Sequence, residues 1–212
     1  MRRTLLVIGS AAFVAQAHAA IITVTAEGAV VSNAVTTAPL DAVGSGDSAT
    51  LTFQVDSNVF LNGVPGDTRG YEIIQPSFSL AFDAPPVSVG LLSPFPAGQT
   101  PYFTLVEGFP VSDGFFVSTT PFSPGGVPIS QSPLQMDLDL GYVGSTLGSL
   151  DILDALGTYD FTGLTRFSFT LWQVSPDNVR LEIDFSRLTI IPEPGTIGAL
   201  ALLGLFAFRV RR

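Results

Sequence analysis

Apolar and polar residues alternate with a period of two over most of this chain, the spacing of half-buried β-strands. Residues 50–56 read Thr-Leu-Thr-Phe-Gln-Val-Asp, which puts Leu51, Phe53 and Val55 on one face. Residues 77–83 gather Phe78, Leu80 and Phe82 in the same way. Residues 134–140 turn Leu134, Met136, Leu138 and Leu140 inward and Asp137 and Asp139 outward. Residues 166–171 and 179–185 repeat the theme, and 21–26, 72–74, 87–91, 102–107 and 115–118 are shorter strand candidates. Turn residues separate these runs: Gly44 to Asp47, Asn62-Gly63, Pro65-Gly66, Pro85-Pro86, Pro94 to Pro101 and Pro121 to Pro133. One-sided alternation in short strands predicts an all-β domain of antiparallel sheets packed face to face. The expected architecture is a β-sandwich, with a jelly-roll order as one form of it. One short helix is expected where Leu147, Leu150, Leu153 and Leu156 recur every third residue, capped by Ser149 and stopped by Gly157.

The last two strands predict their own register. If they form a hairpin with coincident apolar faces, Leu171 lies opposite Leu181, Phe169 opposite Ile183 and Phe167 opposite Phe185. Trp172, on the other parity, then faces Arg180 within reach of a cation–π contact. Leu188 and Ile190 fall on the opposite parity from Phe185, which predicts a bulge near Ser186-Arg187.

Both ends break the pattern. Arg2 and Arg3 precede an apolar run from Leu5 to about Ala15, and Ala17-His18-Ala19 follows as an A-x-A cleavage site. Residues 1–19 therefore read as a secretory signal peptide, leaving 20–190 as the exported domain. Residues 191–212 form a tail in three parts. Pro192-Glu193-Pro194 can continue neither helix nor strand. The 14 uncharged residues 195–208 follow, with a helical length of about 21 Å, a short transmembrane helix. Arg209, Arg211 and Arg212 close the chain and orient it with the tail inside and the domain outside.

A signal peptide combined with Pro192-Glu193-Pro194, the apolar stretch and the terminal arginines resembles the PEP-CTERM family. The resemblance covers about the last 21 residues. It implies a Gram-negative bacterial protein whose tail is recognised and processed by an exosortase, a membrane-embedded transpeptidase-like cysteine enzyme. Such a protein would be anchored transiently in the inner membrane through 195–208, then reach the cell surface or extracellular matrix alongside exopolysaccharide and biofilm. The run from Gly46 to Asp56 and Thr68-Arg69-Gly70 also look like domains this family often carries, and that likeness implies no activity.

Composition narrows the chemistry of the domain. The 212 residues include no Cys, and all nine basic residues are Arg. The only His is His18, inside the signal peptide. Triads with a His or Lys base, thiol catalysis and His or Cys zinc sites are therefore ruled out. Only Arg69, Arg166, Arg180 and Arg187 offset the acidic residues of the domain, so it would repel nucleic acid. Asp56-Ser57-Asn58, Asn62 and Asp67, and more loosely Asp41 and Asp47, are oxygen donors of the kind calcium takes. They are equally ordinary turn residues, and no cofactor or metal is assigned. Glu27, Glu72, Glu107 and Glu182 show no spacing that marks a glycosidase pair. Trp172 is the candidate ligand contact, with Tyr71, Tyr102, Tyr142 and Tyr159 as further aromatics. The reading is a non-catalytic structural or adhesive surface protein. The alternatives are a carbohydrate-binding module for exopolysaccharide and, further off, a carboxylate-based glycan hydrolase.

Overall fold

The computed structural model describes residues 19–64, 66–108, 112–173 and 179–193. The alternating segments form β1 (Ile21–Asn33), β2 (Ser48–Asn62), β3 (Thr68–Ile73), β4 (Ser79–Asp83), β5 (Pro86–Val89) and β6 (Tyr102–Val106). They continue with β7 (Ser112–Ser118), β8 (Val127–Pro128), β9 (Leu134–Val143), β10 (Gly157–Asp160), β11 (Leu164–Gln173) and β12 (Arg180–Pro192). Every strand pairing is antiparallel, as the alternation predicts.

The expected pair of facing sheets is replaced by one sheet closed on itself. Strand β1 pairs with β12 along one edge and with β2 along the other. That second pairing closes the order β1-β12-β11-β9-β7-β6-β3-β2 into an eight-stranded barrel. Alternation along one strand looks the same in a sandwich and in a small barrel, because both bury one face. The partner of β1's second edge is the difference, and it is non-local.

Two strands change partner partway along. The edge of β2 that carries β4 at Ala49–Thr52 carries β3 at Val55 and again at Phe60–Asn62, with the irregular residues Asp56 to Val59 inside the β3 pairing. β9 does the same, with β8 on Gln135 and Met136 and β7 from Leu138 onward. A bridge between Leu91 and Ile129 links the β4–β5 hairpin to β8. The barrel wall between β2 and β9 therefore divides into two panels, β3-β6-β7 and β4-β5-β8, which part between Thr52 and Val55 of β2.

The predicted inner faces are the core. Leu51, Phe53, Val55, Leu80, Met136, Leu138, Leu140, Leu171 and Leu181 are fully buried. An aromatic chain crosses the interior from Phe53 to Phe103 (5.3 Å), Phe115 (5.6 Å) and Tyr159 (4.8 Å). Two glycines admit close backbone approach. A Cβ on Gly28 would stand 2.1 Å from the Asp184 carbonyl oxygen, and one on Gly114 would stand 1.9 Å from that of Leu140. Gly28 lies beside the shift in the β1–β12 register, where Glu27 meets Arg187 and Gly28 meets Phe185. Ser186 is the extra residue, so the predicted bulge is present.

The hairpin register holds where β11 and β12 are paired: Leu171 faces Leu181 and Trp172 faces Arg180. It does not extend to Phe169–Ile183 or Phe167–Phe185. Beyond Thr170 the strands part, and β10 takes the edge of β12 at Arg187–Ile190. Phe161 fills the opening by stacking on Phe169 at 5.3 Å, and Phe167 is left 67% exposed. The cation–π contact among the described residues is Arg69 over Phe60, not Arg180 over Trp172.

The predicted helix at 147–156 is absent, and that segment is a chain of turns. Ser149 Oγ accepts from the Asp151 N–H, and Asp151 Oδ1 accepts from the Leu153 N–H. These local bonds compete with helical ones. Leu147, Leu150, Ile152 and Ala155 turn into the core, while Leu153 and Leu156 face solvent. Tyr71, fully buried on β3, fastens this plug: its hydroxyl donates to the Leu150 carbonyl (2.8 Å) and accepts from the Ile152 N–H (3.0 Å). Asp113 holds the same segment through Oδ2, which accepts from the Leu147 N–H at 2.7 Å. Burial pushes the Tyr71 hydroxyl pKa up, so it stays protonated and keeps its donor. Tyr71→Phe should cost about 1–3 kcal/mol, because two buried backbone groups lose their partner. Denaturant unfolding measures this, and a loss under about 0.5 kcal/mol would mean the hydroxyl does not anchor the plug.

Candidate functional site

Of the predicted sorting and cleavage residues, Ala17, Pro194, Arg209, Arg211 and Arg212 lie outside the described residues, as does the apolar stretch 195–208. Ala19, Pro192 and Glu193 are described, and the fold brings them together. β1 begins where β12 ends, with Ile22 paired to Pro192 and Thr23 to Ile191. Ala20 is tucked in: its N–H donates to Ser57 Oγ, and its carbonyl accepts from the Ser57 N–H, both at 3.0 Å. Ala19 is exposed just outside that contact.

Glu193 is tied to the same pole. Its backbone N–H donates to the Ile21 carbonyl at 2.9 Å. Its carboxylate Oε1 accepts from Gln54 Nε2 at 2.8 Å and from the Thr23 hydroxyl. Thr23 and Gln54 are register partners on β1 and β2, so their side chains leave the barrel side by side. The Thr23 hydroxyl and then the Gln54 amide favour the ionised carboxylate and lower the Glu193 pKa. The contact contributes fully above the ordinary glutamate range and is lost as pH falls below it. Pattern reading marked Glu193 but missed Thr23 and Gln54, which look like any outward polar residue of a strand.

Two of the calcium-type donors accept local hydrogen bonds. Asp56 Oδ1 accepts from the Asn58 N–H at 2.8 Å, and Asn62 Oδ1 accepts from Arg69 Nε at 2.9 Å. Among the described residues no three carboxylates or imidazoles come together as a metal site would need. Where the two wall panels part, a groove of about 790 Å³ opens between Asp56, Val59, Glu72, Ile74, Leu91 and Leu92.

Trp172 lies partly exposed on the outer face, between its paired neighbours Gln135 on β9 and Arg180 on β12. Its indole Nε1 is buried without an acceptor. Next along this face Asp137 and Asp139 point outward as expected, but Asp139 is only 7% exposed. Arg166 Nε forms an ion pair with Asp139 Oδ2 at 2.8 Å, and the Ser168 hydroxyl donates to Asp137 Oδ2 at 2.7 Å. Burial raises both carboxyl pKa values, against the lowering by Arg166 at Asp139 and by Ser168 at Asp137. A carboxyl raised by folding adds stability below its unfolded pKa, and that contribution is lost as pH rises through the folded one. The stability of Asp137→Asn relative to the wild type should therefore be greater at pH 7 than near pH 3. Thermal melts at the two pH values decide it, and an equal shift at both would show that ionisation is not the cause.

Compared with known proteins, the chain matches no family model, no curated sequence and no solved structure.

Proposed function

We propose that this chain is an exported, non-catalytic surface or extracellular-matrix protein of a Gram-negative bacterium, whose PEP-CTERM-like tail is processed by an exosortase. The observation that carries this reading is the pairing of the start of β1 with the end of β12. It sets the first residues of the domain beside its last, at one pole of the barrel, which suits a leader and a tail that leave side by side. Two apolar segments leaving one pole suit a domain held outside one membrane before either is removed. Arg2 and Arg3 on one segment and Arg209, Arg211 and Arg212 on the other then lie on the same inner side. The domain itself serves as a stable plugged barrel with a structural or adhesive role.

A plain anchor needs only apolar length and flanking charge, whereas a processed signal needs a readable peptide. Glu193→Ala, or Pro192→Ala with Pro194→Ala, should leave export intact and block tail removal, keeping the protein in the inner membrane. Intact mass of the wild-type protein and fractionation of the variants test this. A wild-type chain that keeps residues 195–212, or variants that localise normally, would reduce the tail to an anchor.

A second reading, retention of the exported polysaccharide, is favoured by the row Gln135, Trp172 and Arg180, which sets an indole beside polar groups on an outer face. Trp172→Ala should then abolish the retardation of the protein in gels containing the cell's own polysaccharide. Equal mobility of both proteins in that gel would remove Trp172 from any sugar site.

A further inference from the structure

Pro192 and Glu193 of the Pro-Glu-Pro segment are held by the domain. Pro192 still pairs with Ile22, and Glu193 donates to the Ile21 carbonyl. Prolines have no N–H, so Glu193 carries the only backbone donor of the tripeptide, and the barrel takes it. The barrel also takes carboxylate Oε1, through Thr23 and Gln54. Two features by which an enzyme would grip an extended peptide, its backbone edge and its one charge, are thus engaged by the domain itself.

We propose that Thr23 and Gln54 form a clasp on Glu193, which withholds the tripeptide from the tail-processing enzyme until the end of β12 peels away from β1. This rests on the sorting reading above and adds a control to it. Ile21 and Pro192 are the terminal residues of their strands, so the release needed is fraying of a strand end and leaves the plugged core intact. The clasp closes only once β1, β2 and β12 are in register, so an unfinished barrel exposes its tail and a finished one guards it. Gln54 holds the carboxylate from β2, the strand that closes the ring, so the clasp reports on closure itself.

The test uses the full-length chain, in the exporting cell and purified in detergent. Thr23→Val with Gln54→Leu removes both donors, and Gln54→Glu sets a second carboxylate against Glu193 without shortening the side chain. Thr23→Ser keeps the hydroxyl as a control. Hydrogen exchange of the Glu193 amide reads the clasp, and pulse-labelling with intact mass reads the half-time of tail removal. Both releasing variants should speed exchange and shorten that half-time by about threefold, the scale of an exposed polar contact, while Thr23→Ser matches the wild type. Unchanged exchange in both releasing variants would overturn the clasp. Faster exchange with unchanged or slower removal would show that the docked form is the one processed, and would overturn the withholding role. A wild-type chain that never loses its tail would overturn the sorting reading and the control with it, while the exchange measurement would still decide whether the clasp exists.

Discussion

Strand β1 is paired on both edges from Ile22 to Ala29, and the rest of the molecule depends on that. Its residues Ile21–Ala29 pair with β2, and Ile22–Asn33 pair with β12. Without the β1–β2 ladder the sheet would be open, with two long edges available to other chains. With it, the inner faces converge on one interior, which Phe53, Phe103, Phe115 and Tyr159 fill as a connected aromatic row. Closure also fixes where the two ends of the domain emerge, because an antiparallel ladder puts the start of one strand beside the end of the other.

The closed ring is not uniform. Among the described residues β11 and β12 meet through three residue pairs, Thr170–Glu182 to Trp172–Arg180, before β10 replaces β11 along β12. Opposite this weak link, the wall divides at β2 and β9 into two panels. Both irregularities answer one demand. Long strands such as β2 and β12 curve around a small barrel, and a neighbour that follows them at one end diverges at the other. The bulges at Ser186 and at Asp56 to Val59 are where the curvature concentrates, and the groove opens beside the second of them.

The outer face shows how charge is handled where the barrel is covered. Asp139 shares its environment with Phe116, which is buried on the same side and is its register partner. The loop after β7 folds back over this face, bringing Pro121 against Gly70, where a Cβ would stand 2.7 Å from it. A strand that reads as half-buried is thus buried on both sides along part of its length. Arg166 offsets part of the cost of the buried carboxylate at Asp139, and Ser168 bonds Asp137.

What the sequence determined by itself was local and periodic. Which residues face inward along β2, β4 and β9, the register at Leu171–Leu181 and the extra residue at Ser186 all follow from parity over a few positions. The signal-peptide-like N-terminal pattern, the Pro-Glu-Pro and the arginine cluster are likewise legible as composition within a short window. The tertiary structure alone decided the closure of the ring, the plug held by Tyr71, the burial of Asp139 and the grip of Thr23 and Gln54 on Glu193. Leu153 and Leu156 misled because a threefold recurrence also arises when Ser149 and Asp151 build consecutive turns that bury Leu147 and Leu150. Thr23 meets Glu193 across 170 positions, and Tyr71 meets Leu150 across 79. A period carries no information about which distant edge a strand will find, because alternation records only that one face is buried and not what buries it.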